Sequence, residues 1–573
     1  MVAFRKVLPV LALVVIMAAV ASAQNATFQC AANAGVPPLI RAEGLAEPVG
    51  DLTLNCTGGP DNAGPMFVNV QIFLSTNVTS NVLGSNVEAV LMIDDPVPAA
   101  QCLGPSPNTP PNVTGSNSGG PCTANMWLGQ SVAGSPGSVI WKGIPIVPPG
   151  SVGTRIIRIA NVRANATGVP SGSYVPGTIT EYISITGSTS VPVANQPQTV
   201  AFVQDSLDVS ISGATGKQCT GPTQTASITF KEKFPTAFRK KIETDSSLNP
   251  VEQNLPGFNY VTESIFTNQT GVPGLSTAGK ANQGTRFIVK FKNVQNGVGI
   301  SLPGSVTSGS LVAKWVTGAA SDGSGGTADG AGGSVSLSGG AGYAVYEVVG
   351  TGPGTNGLVE DQAFSITITF SWTPNIGSGV PGLGTSQVAG GYGPISATTT
   401  MSASAPEPRF KEKWTEGDML TISACRTILL FPYITNQLGF DTGVVIANTS
   451  SDPLSGNSAR QQQGACTLYY YGNTSGGGAA PAAQTTQVIP TGQHLAFTLS
   501  GGGNYGAPGA AGFQGYMFAI CDFQFAHGYA FVTRMGAVDI AHGYLALVVP
   551  DRARDAQHSA LGAAANEGEQ LGY

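Results

Sequence analysis

Residues 364–372 read FSITITFSW, and this stretch shows most clearly which fold the chain adopts. Phe364, Ile366, Ile368 and Phe370 alternate with Ser and Thr. Successive side chains of a β-strand point to opposite faces of a sheet, so the alternation predicts a strand with one buried and one solvated face. Trp372 continues the apolar face and is expected in the core.

Strands of the same kind recur along the chain, as in MFVNVQIFL (66–74). The 77 Gly and 39 Pro residues interrupt long helices and mark turns between the strands. Many short strands with such turns predict an all-β chain of tandem β-sandwich, Ig-like domains. Long Gly-rich stretches, at 318–342 and 475–484, are expected to be surface loops.

The N-terminus carries an export signal. Arg5 and Lys6 precede an apolar run that ends in ASA (21–23), so a secretory signal peptide is predicted over 1–23, with cleavage before Gln24. No later run of about 20 apolar residues occurs, and no transmembrane helix is expected. The mature chain is therefore expected to be secreted, in the extracellular space or on the cell surface.

The chain is polar without being highly charged. Charged residues make up 10% of it, against about 25% in ordinary soluble domains. Loss of Arg5 and Lys6 with the signal changes the formal net charge from −6 to −8. This composition disfavours nucleic-acid binding, which needs a concentrated basic surface. It also leaves few candidate acids, bases and metal ligands.

Eight cysteines in an exported chain predict disulfides. No CxxC motif is present, which disfavours zinc ribbons and c-type haem. Proximity in one domain favours the pairs Cys30–Cys56 and Cys102–Cys122. The other four cysteines leave alternatives open, among which Cys466–Cys521 with Cys219–Cys425 is preferred.

Two local similarities suggest repeated units, with chance similarity as the alternative. IIRIANV (156–162) is similar to IVKFKNV (288–294), and FKEKF (230–234) is similar to FKEKW (410–414). If FKEK opens a unit, ASAPEP (403–408) fits a linker. The predicted organisation is a β-sandwich at 24–205, a second at 206–407, a third at 408–550 and a polar tail at 551–573.

Two segments carry a resemblance. Cys30 to Cys56 followed by TGG, and CRTILLFPYITNQLGFDTGVVIANTS (425–450), resemble parts of secreted β-rich proteins of environmental bacteria, acidobacteria especially, that have no assigned activity. The resemblance implies a bacterial, exported, β-rich protein. It implies no reaction and no site residues.

Candidate catalytic and metal-binding groups are few. Glu263, Glu347 and Asp361 are candidate acids for a glycan hydrolase, which needs two carboxylates across a cleft. Asp322 and Asp329 lie in a Gly-rich loop whose spacing fits no known calcium motif, so a solvated loop is favoured. No catalytic residue, cofactor or metal site is predicted.

Two parts of the sequence are candidates for binding polysaccharide. The basic run FKEKFPTAFRKK (230–241) is interpreted as a solvated edge strand, since edge strands often carry Lys to prevent mispairing, with an acidic polysaccharide as the alternative ligand. Trp127 follows Cys122 in an expected loop and is the best candidate for an exposed glycan contact.

The tetrapeptide AHGY occurs at 526–529 and again at 541–544. A hairpin centred on residues 535–536 would pair His527 with Tyr544 and Tyr529 with His542. These side chains would share an aromatic, apolar face, so the repeat is interpreted as cross-strand packing rather than as a metal or catalytic site.

Together these features predict a non-enzymatic extracellular structural or surface-assembly protein, a component of a matrix, surface layer or filament. Its expected partners are other copies of itself or cell-surface and matrix components. The second hypothesis is a carbohydrate-binding or adhesive protein with polysaccharide as partner, and the third is a secreted glycan hydrolase.

Overall fold

The computed structural model describes residues 27–105, 113–171, 175–187, 190–218, 222, 224–241, 262–265, 277–309, 311–350, 362–373, 381–423, 425–453, 461–534 and 540–549. These residues form an all-β fold whose only helices are two 3-10 turns, Pro98–Ala100 and Asn504–Gly506. The fold class predicted from sequence is confirmed. The predicted signal peptide, the polar tail and Asp361 lie outside the described residues.

The strands form three successive sets. The first set comprises β1 (Gln29–Ala34), β2 (Leu39–Arg41), β3 (Glu47–Pro48), β4 (Leu52–Gly58), β5 (Met66–Leu74), β6 (Val82–Leu83), β7 (Asn86–Ile93), β8 (Thr114–Asn117), β9 (Gly120–Thr123), β10 (Met126–Val132), β11 (Ser135–Ile146), β12 (Gly150–Ala160), β13 (Arg163–Ala164), β14 (Gly177–Gly187), β15 (Val193–Ala194) and β16 (Gln198–Gln204). The second set comprises β17 (Leu207–Ser212), β18 (Ala214–Lys217), β19 (Ala226–Glu232), β20 (Arg286–Lys292), β21 (Gly299–Leu302), β22 (Ser305–Ser308), β23 (Leu311–Trp315), β24 (Gly333–Ser334), β25 (Gly342–Gly350), β26 (Ala363–Ser371), β27 (Gly384–Gly393) and β28 (Thr415–Ser423). The third set comprises β29 (Thr427–Thr435), β30 (Asp441–Asn448), β31 (Cys466–Thr474), β32 (Gly478–Ala479), β33 (Gln484–Thr485), β34 (His494–Thr498), β35 (Gly502–Gly503), β36 (Phe513–Cys521), β37 (Ala526–Arg534), β38 (Ile540–Leu545) and β39 (Leu547–Val549).

In the first set, twelve strands form one connected sheet that folds over a core. Its order is β15-β1-β4-β12-β7-β10-β11-β5-β14-β16-β2, with β6 beside β7. The first half of β10 pairs with β7 and its second half with β11, so this strand passes from one layer to the other. The enclosed core includes Leu54, Ile72 and Trp141.

The second and third sets each consist of two sheets around one core. The second set has a five-stranded sheet, β17-β19-β26-β21-β24, and a seven-stranded sheet, β18-β28-β27-β20-β25-β23-β22. The third set has a six-stranded sheet, β32-β31-β36-β29-β39 with β33 beside β31, and a five-stranded sheet, β35-β34-β30-β37-β38. Each set buries its own large apolar cluster.

The stretch FSITITFSW forms β26 and behaves as predicted. Phe364, Ile366 and Ile368 are completely buried and Phe370 nearly so, while the intervening Ser and Thr side chains are exposed. Trp372 is partly buried and packs against the same core. Strand β26 lies between β19 and β21, and its apolar face packs on the core. The alternation therefore predicts which face of this strand is buried.

The two sequence similarities have different structural outcomes. Asn161 and Asn293 directly follow β12 and β20 with φ of 61° and 53°, and each is followed by a buried Val. Asn tolerates this left-handed conformation better than most residues, so the shared motif marks a shared strand end. The FKEK segments are not equivalent, since 230–232 ends β19 whereas 411–414 belongs to no strand.

The interpretation of residues 230–241 as a solvated edge is wrong. Strand β19 is central, with β17 on one side and β26 on the other. Glu232 is buried and accepts hydrogen bonds from the backbone N–H groups of Phe238 and Gln362. Arg239 is also buried, and its guanidinium lies near the carboxylate of Glu47 from the first set.

The segment ASAPEP is not an exposed linker. Its Glu407 and the following Arg409 are fully buried against the first set, where Arg409 donates a hydrogen bond to the carbonyl of Thr79. Strand β28 lies beyond residue 407, yet it pairs with β27 of the second set. The division into three domains at 205 and 407 stays a prediction, and the sheets of the second set extend to Ser423.

The predicted hairpin register of the AHGY repeat is wrong. Ala530 lies opposite Tyr544 and Val532 opposite His542, which is an odd shift from the expected pairing and places His527 and His542 on opposite faces. His527, Tyr529 and Phe531 are exposed. The core side of β37 consists of small residues because Phe431 of the opposing sheet fills the space above Gly528.

Two Gly-to-Ala changes in this hairpin test the packing. A Cβ on Gly528 would lie 2.6 Å from Cζ of Phe431, whereas one on Gly543 would meet only the hydroxyl end of Tyr529. We expect Gly528→Ala to lower the free energy of unfolding by about 1–3 kcal/mol. Gly543→Ala should change it by less than about 1 kcal/mol, because Tyr529 is half-exposed and can move aside. Equal effects in denaturant unfolding would contradict the register.

Candidate functional site

Three disulfides are formed between described residues. Cys30 pairs with Cys56 and Cys466 with Cys521, each between directly opposite positions on neighbouring strands, with Cα atoms 3.9 and 4.0 Å apart. Cys102 pairs with Cys122. Cys425 is also disulfide-bonded, and Cys219, its preferred partner from sequence, lies outside the described residues.

Trp127 is not an exposed glycan contact. It is 2% exposed, at the start of β10, where it lies opposite Leu91. The backbone of Gly104 passes so close that a Cβ there would lie 2.1 Å from the indole Nε1. Trp141 donates its indole N–H to the Trp127 carbonyl. The loop predicted at Trp127 is instead the start of β10, and the strand directs the ring into the core.

The two candidate catalytic acids that are described form ion pairs in the interior. Glu263 receives two hydrogen bonds from Arg41, at 2.7 and 3.0 Å. Glu347 is paired with Arg286 at 2.8 Å. Each carboxylate is held by a guanidinium inside the protein instead of facing a cleft.

Asp322 and Asp329 stabilise their own loop. Asp322 accepts hydrogen bonds from the N–H and hydroxyl of Ser324, and Asp329 from the Ala331 N–H and the Thr317 hydroxyl. The hydrogen bond from the Ala331 N–H has the largest effect on Asp329 and lowers the pKa of its carboxyl, and the bond from the Thr317 hydroxyl lowers it further. Over the described ranges no three His, Cys, Asp or Glu residues are grouped so that they could hold a metal.

Eight charged side chains meet between the first and second sets, and each is at most 1% exposed. Two Arg and two Glu come from each set. This buried ion cluster consists of Arg41, Glu47, Glu88 and Arg163 from the first set and Arg239, Glu263, Glu407 and Arg409 from the second. Charged groups are costly to bury, so each depends on partners held in place by the fold.

Arg41 is the centre of one half of the buried ion cluster. Its Nε donates to Glu47 at 2.8 Å, and its two terminal nitrogens bind both oxygens of Glu263. The Thr285 hydroxyl donates to Glu263 as well. Arg239 lies 3.7 Å from Glu47. Each set therefore supplies one arginine and one glutamate to the contact: Arg41 of the first set pairs with Glu263, and Arg239 of the second set pairs with Glu47.

Arg163 is the centre of the other half. Its Nε lies 3.0 Å from Glu407 and 3.6 Å from Glu88. Glu88 also accepts the backbone N–H of Gly279 from the second set. Burial raises the pKa of Glu407 to about 8, with Glu88 adding to the rise and Arg163 opposing it. Burial likewise raises the pKa of Glu88.

Exposed aromatic rings form a second notable feature, on the outer side of the six-stranded sheet of the third set. Tyr469 and Tyr471 of β31 lie opposite Phe518 and Tyr516 of β36. The rings of Tyr471 and Tyr516 are stacked, with centroids 5.1 Å apart and planes 10° apart. Phe518 stands edge-on to both. We call these four residues the aromatic face.

The aromatic face continues into aliphatic side chains. From Tyr469 the row runs through Phe518 and Leu430 to Leu547. Tyr471 and Tyr516 are 46% and 42% exposed. Neutral rings that stand half out of a sheet can stack on the apolar side of a sugar ring or on another protein.

The buried ion cluster and the aromatic face differ in how far the sequence could predict them. The members of the buried ion cluster lie up to 368 positions apart, and no local pattern joins them. The aromatic face does have a signal, because Tyr469 and Tyr471 alternate in LYYYG and Tyr516 and Phe518 in GYMF. That signal shows that the rings share a face, but not that the face is exposed.

The raised pKa of Glu407 predicts how stability depends on pH. The unfolded chain releases this proton near pH 4.5 and the folded protein near pH 8, so rising pH between these values favours unfolding. Burial raises the pKa of Glu181 to about 8 as well, with the nearby Asp51 adding to the rise. We expect the free energy of unfolding to fall across this window, by up to about 1.4 kcal/mol per pH unit for each group.

Glu407→Gln should weaken this pH dependence, because the amide keeps the uncharged form of the side chain. Glu412→Gln removes an exposed carboxyl and serves as the control. Denaturant unfolding of the disulfide-intact protein at a series of pH values measures both slopes. A Glu407→Gln slope equal to that of the unaltered protein would refute the assignment.

No protein-family model matches the chain, and no curated protein matches it. No helix in the described ranges is long and apolar enough to cross a membrane. Solved structures that match include a backbone pilin of Streptococcus pyogenes, at 8% identity over 91% of this chain and 81% of that chain, with a TM-score of 0.19. A serine-rich repeat adhesion glycoprotein of Streptococcus agalactiae matches at 8% identity over 68% and 98%, with a TM-score of 0.18.

Proposed function

We propose that the protein is a non-enzymatic structural component of an extracellular assembly, such as a surface layer, matrix or filament, exported by a bacterial cell. Successive β-sandwich cores, disulfides and a surface of Ser and Thr with little charge support a durable extracellular role. The export signal in residues 1–23 belongs to the same proposal.

The observation that carries the proposal is the buried ion cluster. Ion pairs such as Arg41–Glu263 and Arg239–Glu47 join the two sets of sheets through an interface in which all four side chains are buried. Flexibly linked modules seldom contact one another in this way. A joined body of this kind suits a protein that must keep its shape while other molecules attach to it.

The first test is the physical state of the native secreted protein. We expect electron microscopy to show ordered assemblies, and light scattering after size-exclusion chromatography to show species larger than the 58.2 kDa chain. Dilution should dissociate them reversibly, which separates assembly from aggregation. A strictly monomeric protein that binds a glycan array would contradict the structural role.

A second candidate, carbohydrate binding or adhesion, is favoured by the aromatic face. Tyr471 and Tyr516 are stacked and half-exposed, and the polar Asn473 and Gln514 form the cross-strand pair two positions along the same strands. Rings of this kind can stack on the apolar face of a sugar, and the amides can bond its hydroxyls. A neutral glycan fits best, because none of these four side chains is charged.

This second function predicts a specific loss. If the aromatic face binds a neutral polysaccharide, Tyr471→Ala should weaken binding in affinity electrophoresis about tenfold, in line with the loss of one aromatic contact. Tyr182→Ala is the matched control, since Tyr182 is a similarly exposed tyrosine beside Phe73 in the first set. Equal binding by both variants would reject the aromatic face as the site.

A further inference from the structure

Strand β38 is an open edge of the five-stranded sheet of the third set. Among the described residues it pairs with β37 alone. Its sequence is IAHGYL, and five of its six residues are exposed, with Tyr544 half-buried. Ile540 and Leu545 are 48% and 58% exposed. The strand contains no charged residue and no proline.

The other described sheet edges are better protected. The edges β2, β15, β22, β24, β32, β33, β35 and β39 are only two to four residues long. Strand β18 ends in Lys217, and β17, also six residues long, carries Asp208. Natural β-proteins protect their edges by shortness, charge or proline, because an unprotected edge pairs with other strands. Strand β38 alone among these edges is long and uncharged.

The backbone groups that face outward on β38 can be assigned. The Ala546 N–H donates to the Gly528 carbonyl, so Gly528 and Ala546 form a hydrogen-bonded pair. This pair comes directly after Tyr529–Leu545 in the register of β37 and β38. Bonded and non-bonded pairs alternate in an antiparallel ladder. Residues 540, 542 and 544 therefore direct their N–H and C=O groups toward β37, and Ala541, Gly543 and Leu545 direct theirs outward.

We propose that the occupant of this edge is β38 of a second copy of the chain, paired antiparallel about a two-fold axis. This inference rests on the proposed assembly function and names its partner. The contact joins the two five-stranded sheets into one of ten strands. An edge without charged side chains suits self-pairing, because a two-fold axis brings the edge against an identical copy and a charged edge would meet its own charge.

The two-fold axis restricts the register. It must stand perpendicular to the joined sheet, so each face of one copy continues the same face of the other. The register with the most bonds places Gly543 opposite the second copy's Gly543 and Ala541 opposite the second copy's Leu545. All three outward-facing residues then form mutually hydrogen-bonded pairs. On the outer face, the exposed Tyr529 and Phe531 of β37 lie opposite Leu545 and Gly543, one strand away from the contact between the two copies.

Ala541→Lys tests the contact by placing a charge on the edge. We expect the dissociation constant for self-association, measured by analytical ultracentrifugation, to rise at least 100-fold. Thr533→Lys is the matched control, because Thr533 lies opposite Ala541 on the same face but one strand further in. It should change the constant less than about fivefold. Circular dichroism of both variants verifies that they fold.

Cross-linking tests the register. Chains carrying Ala541→Cys, mixed with chains carrying Leu545→Cys, should form an intermolecular disulfide under mild oxidation, since opposite Cα atoms lie about 5.5 Å apart. Ala541→Cys alone should not cross-link, because its two copies would be four positions apart, about 13 Å. Cross-linking of Ala541→Cys alone, with none in the mixture, would overturn this register.

The possible failures are distinguishable. Assembly that persists unchanged in Ala541→Lys refutes the β38 contact and leaves the proposed structural function in place. A strictly monomeric unaltered protein refutes both. Equal loss of association in Ala541→Lys and Thr533→Lys assigns the contact to the outer sheet face and refutes strand pairing.

Discussion

Ion pairs without access to water are the interaction on which the first two sets of sheets depend. A guanidinium or carboxylate taken out of water is tolerated only when an opposite charge is held against it, and removal of one partner leaves the other uncompensated. Arg41 has Glu47 within its own set, but Glu263 depends on Arg41 across the interface. The two sets therefore constrain each other, and the segment around Glu407 must return to the first set to complete the cluster.

This constraint also changes what the low charge content means. The sequence suggested few charges and a surface of small polar groups. In the structure, many of the arginines lie inside, as Arg41, Arg158, Arg163, Arg239 and Arg409 show, each at most 1% exposed. The first two sets use their charges for internal cohesion. The third set contributes no residue to the buried ion cluster, and it exposes the stacked rings of Tyr471 and Tyr516 and the edge strand β38.

Local pattern predicted what local physics decides. The alternation of β26, the neighbouring cysteines 30 and 56, and the all-β class follow from side-chain direction and proximity along the chain. Trp127 and the AHGY hairpin were misjudged for a shared reason, because the decisive neighbours are distant in sequence. Gly104 passes against the Trp127 indole, and Phe431 fills the space above Gly528. The buried ion cluster lay beyond sequence reasoning for the same reason.

The cross-strand disulfides have a mechanical consequence. A chain pulled from both ends can lengthen only through residues outside its covalent loops. The Cys466–Cys521 bond encloses a separation of 55 residues, on the order of 190 Å of extended chain, and removes that length from any stretching of the third set. The Cys30–Cys56 bond does the same for a shorter loop near the other end. Under load, force that reaches either loop passes through its disulfide, and the strands enclosed by that loop are not pulled out.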